Sequence, residues 1–174
     1  IYALAACEHA GRVEVIVYDD GSADEDLIAS IRKEIDTYPG PASLIAASEN
    51  KGRSAGRNRL EEAARTDWLL FLDADMIPDD HLFLTRYLIE IARSDSPALI
   101  VGGFSLTHAR QTAKTRLHWS QCEASECLAA EARNQAPGRY VFTSNLLVHR
   151  DIMTVVPFDT SFVGWGWEDV DWGL

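Results

Sequence analysis

The sequence predicts a layered α/β domain with a mostly parallel central sheet. Short runs of apolar and β-branched residues alternate with segments of helical periodicity, the pattern of strands joined by helical crossovers. The apolar run from Trp68 to Leu72 ends directly in acidic residues. Ligand sites of open α/β sheets lie at the carboxyl edge of the sheet. A strand that ends in acidic residues is therefore typical of an α/β domain.

The first half of the chain alternates strand and helix. Residues 13–18 predict the first strand, which stops in the turn-forming acidic sequence DDGS. A helix follows, because apolar residues recur every fourth position from Leu27 to Ile35. Ser22 and Glu25 fit a capping box at its start. The next expected elements are a strand at 42–47, a helix at 54–65 and a strand at 68–72.

The second half continues the pattern less clearly. Asp79 and Asp80 are expected to cap a helix whose apolar residues share one face. Residues 98–101 predict a strand. Residues 109–132 are rich in Ala, Glu and Arg and predict a long helix, and 140–148 predict the last strand.

Composition restricts the classes of protein. A chain of 174 residues, 47% of them hydrophobic, is long and apolar enough for one domain with a hydrophobic core. We expect a single domain over residues 1–174, truncated at both ends. The net charge of −11 argues against nucleic-acid binding, which needs a basic surface. Three cysteines without a CxxC pair favour a cytoplasmic setting. No apolar run approaches the roughly 20 residues of a membrane span, which leaves peripheral membrane association as the expected kind of membrane contact.

Two carboxylates follow the strand at 68–72. Strand residues two apart point to the same side, so Asp73 and Asp75 are expected to share one target if the extended backbone continues. Mg²⁺ or Mn²⁺ prefers oxygen ligands and is commonly held by one or two carboxylates, with substrate phosphates completing the shell. The sequence therefore predicts a divalent cation that binds a diphosphate. The alternative is that both side chains satisfy turn amides.

A basic segment precedes this strand. Residues 50–59, NKGRSAGRNR, hold four of the 16 basic residues of an acidic chain. A loop enters a helix there, and the free amides of a helix N-terminus favour phosphate. The alternative is a solvated helix face.

Four motifs together resemble the family 2 glycosyltransferases of the GT-A fold. Three of them, VEVIVYDDGSAD, NKGRSAGRN and WLLFLDADMIPD, occur in the family's order and spacing. The late segment FVGWGWEDVDWG is similar to the tryptophan, glycine and acidic-pair motif of inverting GT-A enzymes, including galactosyltransferase and chondroitin-polymerase-like members. The resemblance implies a Rossmann-like α/β/α domain that transfers sugars from nucleotide diphosphates.

The resemblance also implies roles for individual residues. Asp75 would bind the metal, with Asp73 beside it, and Asp169 would be the catalytic base. Nucleotide binding is implied for Asp19, Asp20, Arg57, Asn58 and Asp73. Acceptor binding is implied for Glu168 and for an apolar platform formed by Trp165 or Trp167.

The chemistry of sugar transfer suits these residue types. An acceptor hydroxyl is a poor nucleophile, so a carboxylate must take its proton as it attacks the anomeric carbon. The departing nucleotide diphosphate gains negative charge, which a metal ion and nearby cations stabilise. A single displacement of this kind inverts the anomeric configuration.

The sequence thus predicts an inverting glycosyltransferase of polysaccharide biosynthesis, with a nucleotide-sugar donor, UDP-linked by resemblance, and a saccharide or glycoconjugate acceptor. Two alternatives stay open. One is a non-catalytic carbohydrate-binding or degenerate transferase domain. The other is a DxD phosphatase, which is less favoured because a Thr or Val normally follows its nucleophile, where Met76 and Ile77 stand here.

Overall fold

The computed structural model describes residues 1–162 and 166–174. The helices of this part are α1 (Tyr2–Ala5), α2 (Glu25–Thr37), α3 (Arg53–Ala63), α4 (Phe83–Arg93), α5 (Arg116–Ser125), α6 (Ala130–Arg133), α7 (Arg150–Val155) and α8 (Glu168–Gly173). The strands are β1 (Val15–Asp19), β2 (Ala42–Ala46), β3 (Trp68–Leu72), β4 (Leu99–Val101) and β5 (Asn145–His149). Turns of 3₁₀-helix cover Ala10–Arg12 and Pro137–Tyr140.

The strands form two sheets, and the predicted α/β class is confirmed. Strands β1 and β2 pair in parallel and are joined by the crossover helix α2. In the second sheet β5 lies between β3 and β4 and is antiparallel to both. Strands β3 and β4 therefore run in the same direction. The expectation of a mostly parallel sheet fails in detail at β5, because that strand starts at the carboxyl end of β3, where Asn145 pairs with Leu72.

Strand β5 forms the centre of the larger core. Leu146, Leu147 and Val148 are consecutive and buried, as expected for a strand covered on both faces. Leu146 and Val148 belong to a core cluster that includes Phe71 from β3 and Phe158 from the segment after α7. Each such side chain contributes on the order of 1.5–3 kcal/mol by burial. Strand β5 is thereby a rigid support for the residues that precede it.

The start of helix α2 differs from the prediction. Its N-cap is Asp24, whose Oδ1 accepts the N–H of Leu27 at 2.9 Å. The hydroxyl of Ser22 accepts the N–H of Asp24 at 3.3 Å instead. The capping box between Ser22 and Glu25 was wrong because a closer carboxylate takes the capping position.

The segment between β4 and β5 also differs. The long helix predicted over 109–132 was wrong, since α5 and α6 are separate and short. Composition favoured helix there, but α5 buries only Cys122, so little tertiary packing supports a longer helix. The strand predicted over 140–148 begins only at Asn145.

Two further features concern the chain as a whole. The three cysteines are free thiols. In residues 1–162 and 166–174, no helix has both the length and the apolar character needed to cross a membrane.

Candidate active site

Charged residues from three parts of the chain meet beside the carboxyl end of β3. We call them the charged cluster, which consists of Arg53, Arg57, Asp73, Glu168 and Asp169. The arginines come from the first turns of α3, Asp73 follows β3, and the other two carboxylates begin α8. Arg53 and Glu168 are 115 residues apart in the sequence. Tertiary folding thus joins the basic segment to both acidic motifs.

Glu168 is the most buried carboxylate of the cluster, with 5% of its side chain exposed. Its Oε1 accepts hydrogen bonds from Arg53 Nε at 2.6 Å and from Arg57 Nη1 at 3.4 Å. Burial acts to raise the pKa of Glu168, but its own backbone N–H at the start of α8 and the two guanidinium groups outweigh it, so the pKa is lowered. Its Oε2 has no hydrogen-bond partner among the described residues.

Asp169 is held by Thr143. Its Oδ2 accepts the backbone N–H of Thr143 at 2.9 Å, and the Thr143 hydroxyl lies 2.9 and 3.0 Å from its two carboxylate oxygens. Arg57 Nη2 is 3.4 Å from Oδ1. The residue predicted as the base is therefore fixed in orientation, in a half-buried position next to a buried cation.

The two arginines differ in exposure. Arg57 is 7% exposed, and its guanidinium lies 5.5 Å from the centre of the Phe158 ring. Burial lowers the pKa of Arg57, and attraction to Asp169 opposes that shift. Arg53 is 36% exposed and lies 3.4 Å from Asp73. Burial also acts to lower the pKa of Arg53, but the attraction of Asp73 and Glu168 raises it. Arg53 is thus the cation of the cluster that a ligand can reach.

The backbone turns directly after β3. The N–H of Met76 bonds to the carbonyl of Asp73 at 3.1 Å, so the extended geometry that was expected to align Asp73 with Asp75 ends at Leu72. That premise was wrong because the turn closes at the strand end. Asp73 Oδ2 accepts the Ser144 hydroxyl at 2.9 Å, whereas the Asp75 side chain is exposed.

The donor set of this turn fits a hard divalent cation. Carboxylate oxygens are suitable ligands, and Asp75 is open to solvent. In the part of the chain that the structure describes, no three His, Cys, Asp or Glu side chains converge on a metal position. Ligand phosphates would therefore have to complete the coordination shell.

The acidic pair after β1 organises the neighbouring loops. Asp20 accepts the N–H groups of Lys51 and Gly52 at 2.8 and 2.9 Å, and Asp19 accepts that of Ser22 at 3.2 Å. Asp20 therefore occupies two of the amides in the basic segment that were predicted to bind phosphate. Its carboxylate fixes the loop before α3 at the sheet edge.

Asn58 contacts the segment after α7. Its side-chain amide donates to the carbonyl of Phe158 at 2.9 Å and accepts the N–H of the same residue at 3.0 Å. The structure thus directs Asn58 and the buried Arg57 toward the C-terminal part of the chain. In this arrangement Asn58 bonds the backbone of Phe158, and Arg57 pairs with Glu168 and Asp169.

The predicted tryptophan platform is described in part. Trp167 is the N-cap of α8, with a φ of 70° in the left-handed region, and its side chain is 74% exposed. An exposed indole can cover the apolar face of a sugar. Trp165 lies outside the described residues.

A cavity of about 300 Å³ adjoins the turn that carries Asp73 and Asp75. Its wall includes the apolar side chains Leu72, Met76, Phe83 and Phe104. Asp79, Arg86, Glu90 and Ser105 add polar groups to it. A mixed apolar and polar cavity of this size accommodates a sugar ring.

Three residues of the site were not singled out from the sequence. Arg53 belongs to the basic segment but carried no individual signal. Thr143 and Ser144 are polar residues directly before the buried run of β5, and that position at a strand edge was the available signal. Their partners lie 26 and 71 residues away, so spacing alone does not indicate them.

Comparison with known proteins covers most of the chain. Residues 3–146 match the family described as Glycosyl transferase family 2. An N-acetylglucosaminyltransferase of Mesorhizobium japonicum is 28% identical over 138 residues, which cover 75% of this chain and 30% of that protein. An N-acetylglucosaminyltransferase of Bradyrhizobium diazoefficiens is 27% identical over 134 residues, covering 75% of this chain and 27% of that protein. The chain thus spans less than a third of the length of these curated relatives.

Proposed function

The chain belongs to glycosyl transferase family 2, and on that premise we propose that it is an inverting glycosyltransferase. It moves a sugar from a nucleotide-diphosphate donor, expected to be UDP-linked, to a saccharide or glycoconjugate acceptor. The observation that carries the proposal is the charged cluster, in which Arg53 contacts both Asp73 and Glu168. Through Arg53, Asp73, which is assigned to the donor, lies next to Glu168, which is assigned to the acceptor.

Asp169 is the proposed base. Its carboxylate takes the proton of the acceptor hydroxyl while that oxygen bonds to the anomeric carbon, and the bond from this carbon to the diphosphate oxygen breaks. Arg57 Nη2 lies 3.4 Å from this carboxylate and keeps a positive charge beside it. One displacement from the face opposite the leaving group inverts the anomeric configuration.

The proposed leaving group is the nucleotide diphosphate, whose charge grows as the bond breaks. Arg53 is partly exposed and can contact it, which stabilises the transition state. A bound Mg²⁺ or Mn²⁺, held by Asp75 with Asp73 beside it, would supply further charge stabilisation. Three carboxylates face two guanidinium groups in the charged cluster, so a cation improves its charge balance.

The names of the relatives support a proposal for the sugar class. Both relatives are named N-acetylglucosaminyltransferases, which makes a UDP-linked N-acetylhexosamine the first donor to test. The cavity lined by Leu72 and Met76 is large enough for such a ring. The exposed Trp167 is the proposed platform for the acceptor, together with Trp165 by resemblance. Glu168 contributes Oε2, which has no hydrogen-bond partner among the described residues.

Calorimetric titration of the full-length protein tests the donor site. UDP, GDP and their sugar conjugates are titrated with and without Mn²⁺ into the wild type, Asp75→Ala and Asp95→Ala, an exposed aspartate after α4. We expect Mn²⁺-dependent binding of one nucleotide, lost in Asp75→Ala and kept in Asp95→Ala. Absence of nucleotide binding by the folded wild type would sink the transferase proposal.

Transfer assays on Asp169→Asn then test the base. The amide keeps the shape but cannot take a proton, so we expect kcat to fall by about 100- to 10,000-fold while donor binding is retained. Donor binding by a wild type that transfers nothing would support the non-catalytic alternative instead.

A further inference from the structure

We propose that Thr143 is a positioning residue that aims the Asp169 carboxylate at the acceptor hydroxyl. This inference rests on the proposed function. Thr143 is 1% exposed, and both its backbone N–H and its hydroxyl donate to Asp169. A buried residue that gives both of its donors to one carboxylate restricts the rotation of that carboxylate.

Helix α8 is too short to fix Asp169 by its own backbone hydrogen bonds. The helix has six residues, and its N-cap, Trp167, makes no side-chain hydrogen bond to it. Helices this short are marginal unless tertiary contacts support them. The contacts made by the two acidic residues that begin α8 come from Thr143 and from the arginines of α3.

The position of Thr143 gives that contact its precision. Thr143 lies two residues before β5, the central strand of its sheet, whose residues Leu146 and Val148 are fully buried. A β-branched side chain has few χ1 rotamers, so its hydroxyl has a defined direction. A general base must lie within hydrogen-bond reach of the proton it takes, and misplacement by about 1 Å can cost on the order of 100-fold in rate.

The next residue makes the equivalent contact at the donor end. The Ser144 hydroxyl donates to Asp73 at 2.9 Å, and the Ser144 carbonyl accepts the N–H of Asp73 at 3.3 Å. Two consecutive residues therefore hold the two acidic motifs, with Cα atoms about 3.8 Å apart. The separation of Asp169 from Asp73 is thereby fixed by the two residues that lead into β5.

Loss of the Thr143 contact and loss of the Ser144 contact should affect different kinetic parameters. Thr143→Val keeps the shape and the backbone N–H but removes the hydroxyl. We expect kcat to fall by about 10- to 100-fold, with the donor KM within about twofold of the wild type. Ser144→Ala acts on Asp73, so its effect should appear mainly in the donor KM.

Steady-state transfer by the full-length protein measures these effects, with kcat normalised to the folded fraction from thermal melts. Thr143→Ser restores the hydroxyl and should return kcat to within about threefold of the wild type. Thr143→Ala lacks the hydroxyl without adding an apolar branch and should lose as much kcat as Thr143→Val. Thr154→Val, at an exposed position whose hydroxyl donates to the Arg150 carbonyl in α7, is the matched control and should be unchanged.

Several outcomes would overturn the role of Thr143. They are an unchanged kcat in the hydroxyl-free variants, a loss confined to the donor KM or to the folded fraction, and a failure of Thr143→Ser to recover. The wild type alone decides the premise: if it transfers no sugar, the proposed function fails and this inference falls with it. An active wild type with an equally active Thr143→Val overturns only the inference.

Discussion

Glu168 determines how the buried charges of the site are balanced. Removing a charge from a buried ion pair is costly because its partner stays buried without compensation. Arg57 keeps Asp169 as a second partner, and Arg53 keeps Asp73 and contact with solvent. Glu168 contacts both arginines through one oxygen, so it couples the two ends of the site.

At the residue scale we predict that Glu168→Gln lowers stability at neutral pH, by about 1–3 kcal/mol. A carboxyl whose folded pKa is lowered stabilises the fold above its unfolded value near 4.5, and this contribution is lost as pH falls through the folded pKa. The stability difference between wild type and variant should therefore shrink below about pH 4.5. Urea denaturation across pH 3.5–7 measures it.

The exposed ion pair between Arg59 and Glu62 provides the control. Glu62→Gln should change stability by less than about 1 kcal/mol throughout this range, since exposed pairs contribute little. A difference for Glu168→Gln that stays constant from pH 7 to 3.5 would contradict the charge argument and leave only a loss of packing.

At the scale of elements, the C-terminal segment depends on helix α3. The aromatic rings of Phe158 and Trp172 stack with their centroids 4.6 Å apart, which joins the segment after α7 to α8. Asn58 bonds both backbone groups of Phe158. Helix α3 thus holds α8 in two ways, through the Asn58 contact and through its two arginines.

We predict that Asn58→Ala loosens this segment more than it affects the sheets. Two buried backbone groups lose their partner, which should cost about 1–3 kcal/mol. Hydrogen exchange at Phe158 and in α8 should accelerate, while exchange in β5 follows only the change in global stability.

Asn134→Ala is the matched control, because Asn134 is exposed and follows α6. It should leave exchange in α8 as in the wild type. If Asn58→Ala accelerates hydrogen exchange in α8 and in β5 equally, by more than the change in global stability explains, the contact between Asn58 and Phe158 does not act specifically on the C-terminal segment.

At the scale of the whole molecule, β5 connects the core to the site. It pairs with β3 and β4, packs against Phe158, and is preceded by the two residues that hold the acidic motifs. Loss of packing in β5 should therefore disturb stability and site geometry together.

We predict that Leu146→Ala lowers the free energy of unfolding by about 2–5 kcal/mol, because the deletion leaves a cavity in a fully buried strand. Urea denaturation measures the loss. Val155→Ala, at an exposed apolar position in α7, is the control and should cost less than about 0.5 kcal/mol. Similar effects of the two substitutions would contradict the assignment of β5 to the core.

Local patterns in the sequence were sufficient to predict the α/β class and most of the regular elements of the first hundred residues. Strand β3 has the predicted bounds, and β1, β2, β4 and α3 lie within two residues of theirs. Apolar periodicity indicates these elements because it depends on neighbouring residues. The sequence motifs also indicated the family.

Tertiary structure decided the break in 109–132, the late start of β5 and the partners of the site residues. Asp20 bonds loop amides, and Asn58 bonds Phe158, which lies 100 residues away in the sequence. Thr143, Ser144 and Arg53 were identified only by their contacts. The physical reason is that burial and ion pairing depend on distance in space, which the folded sheet sets, whereas helix and strand patterns depend on distance along the chain.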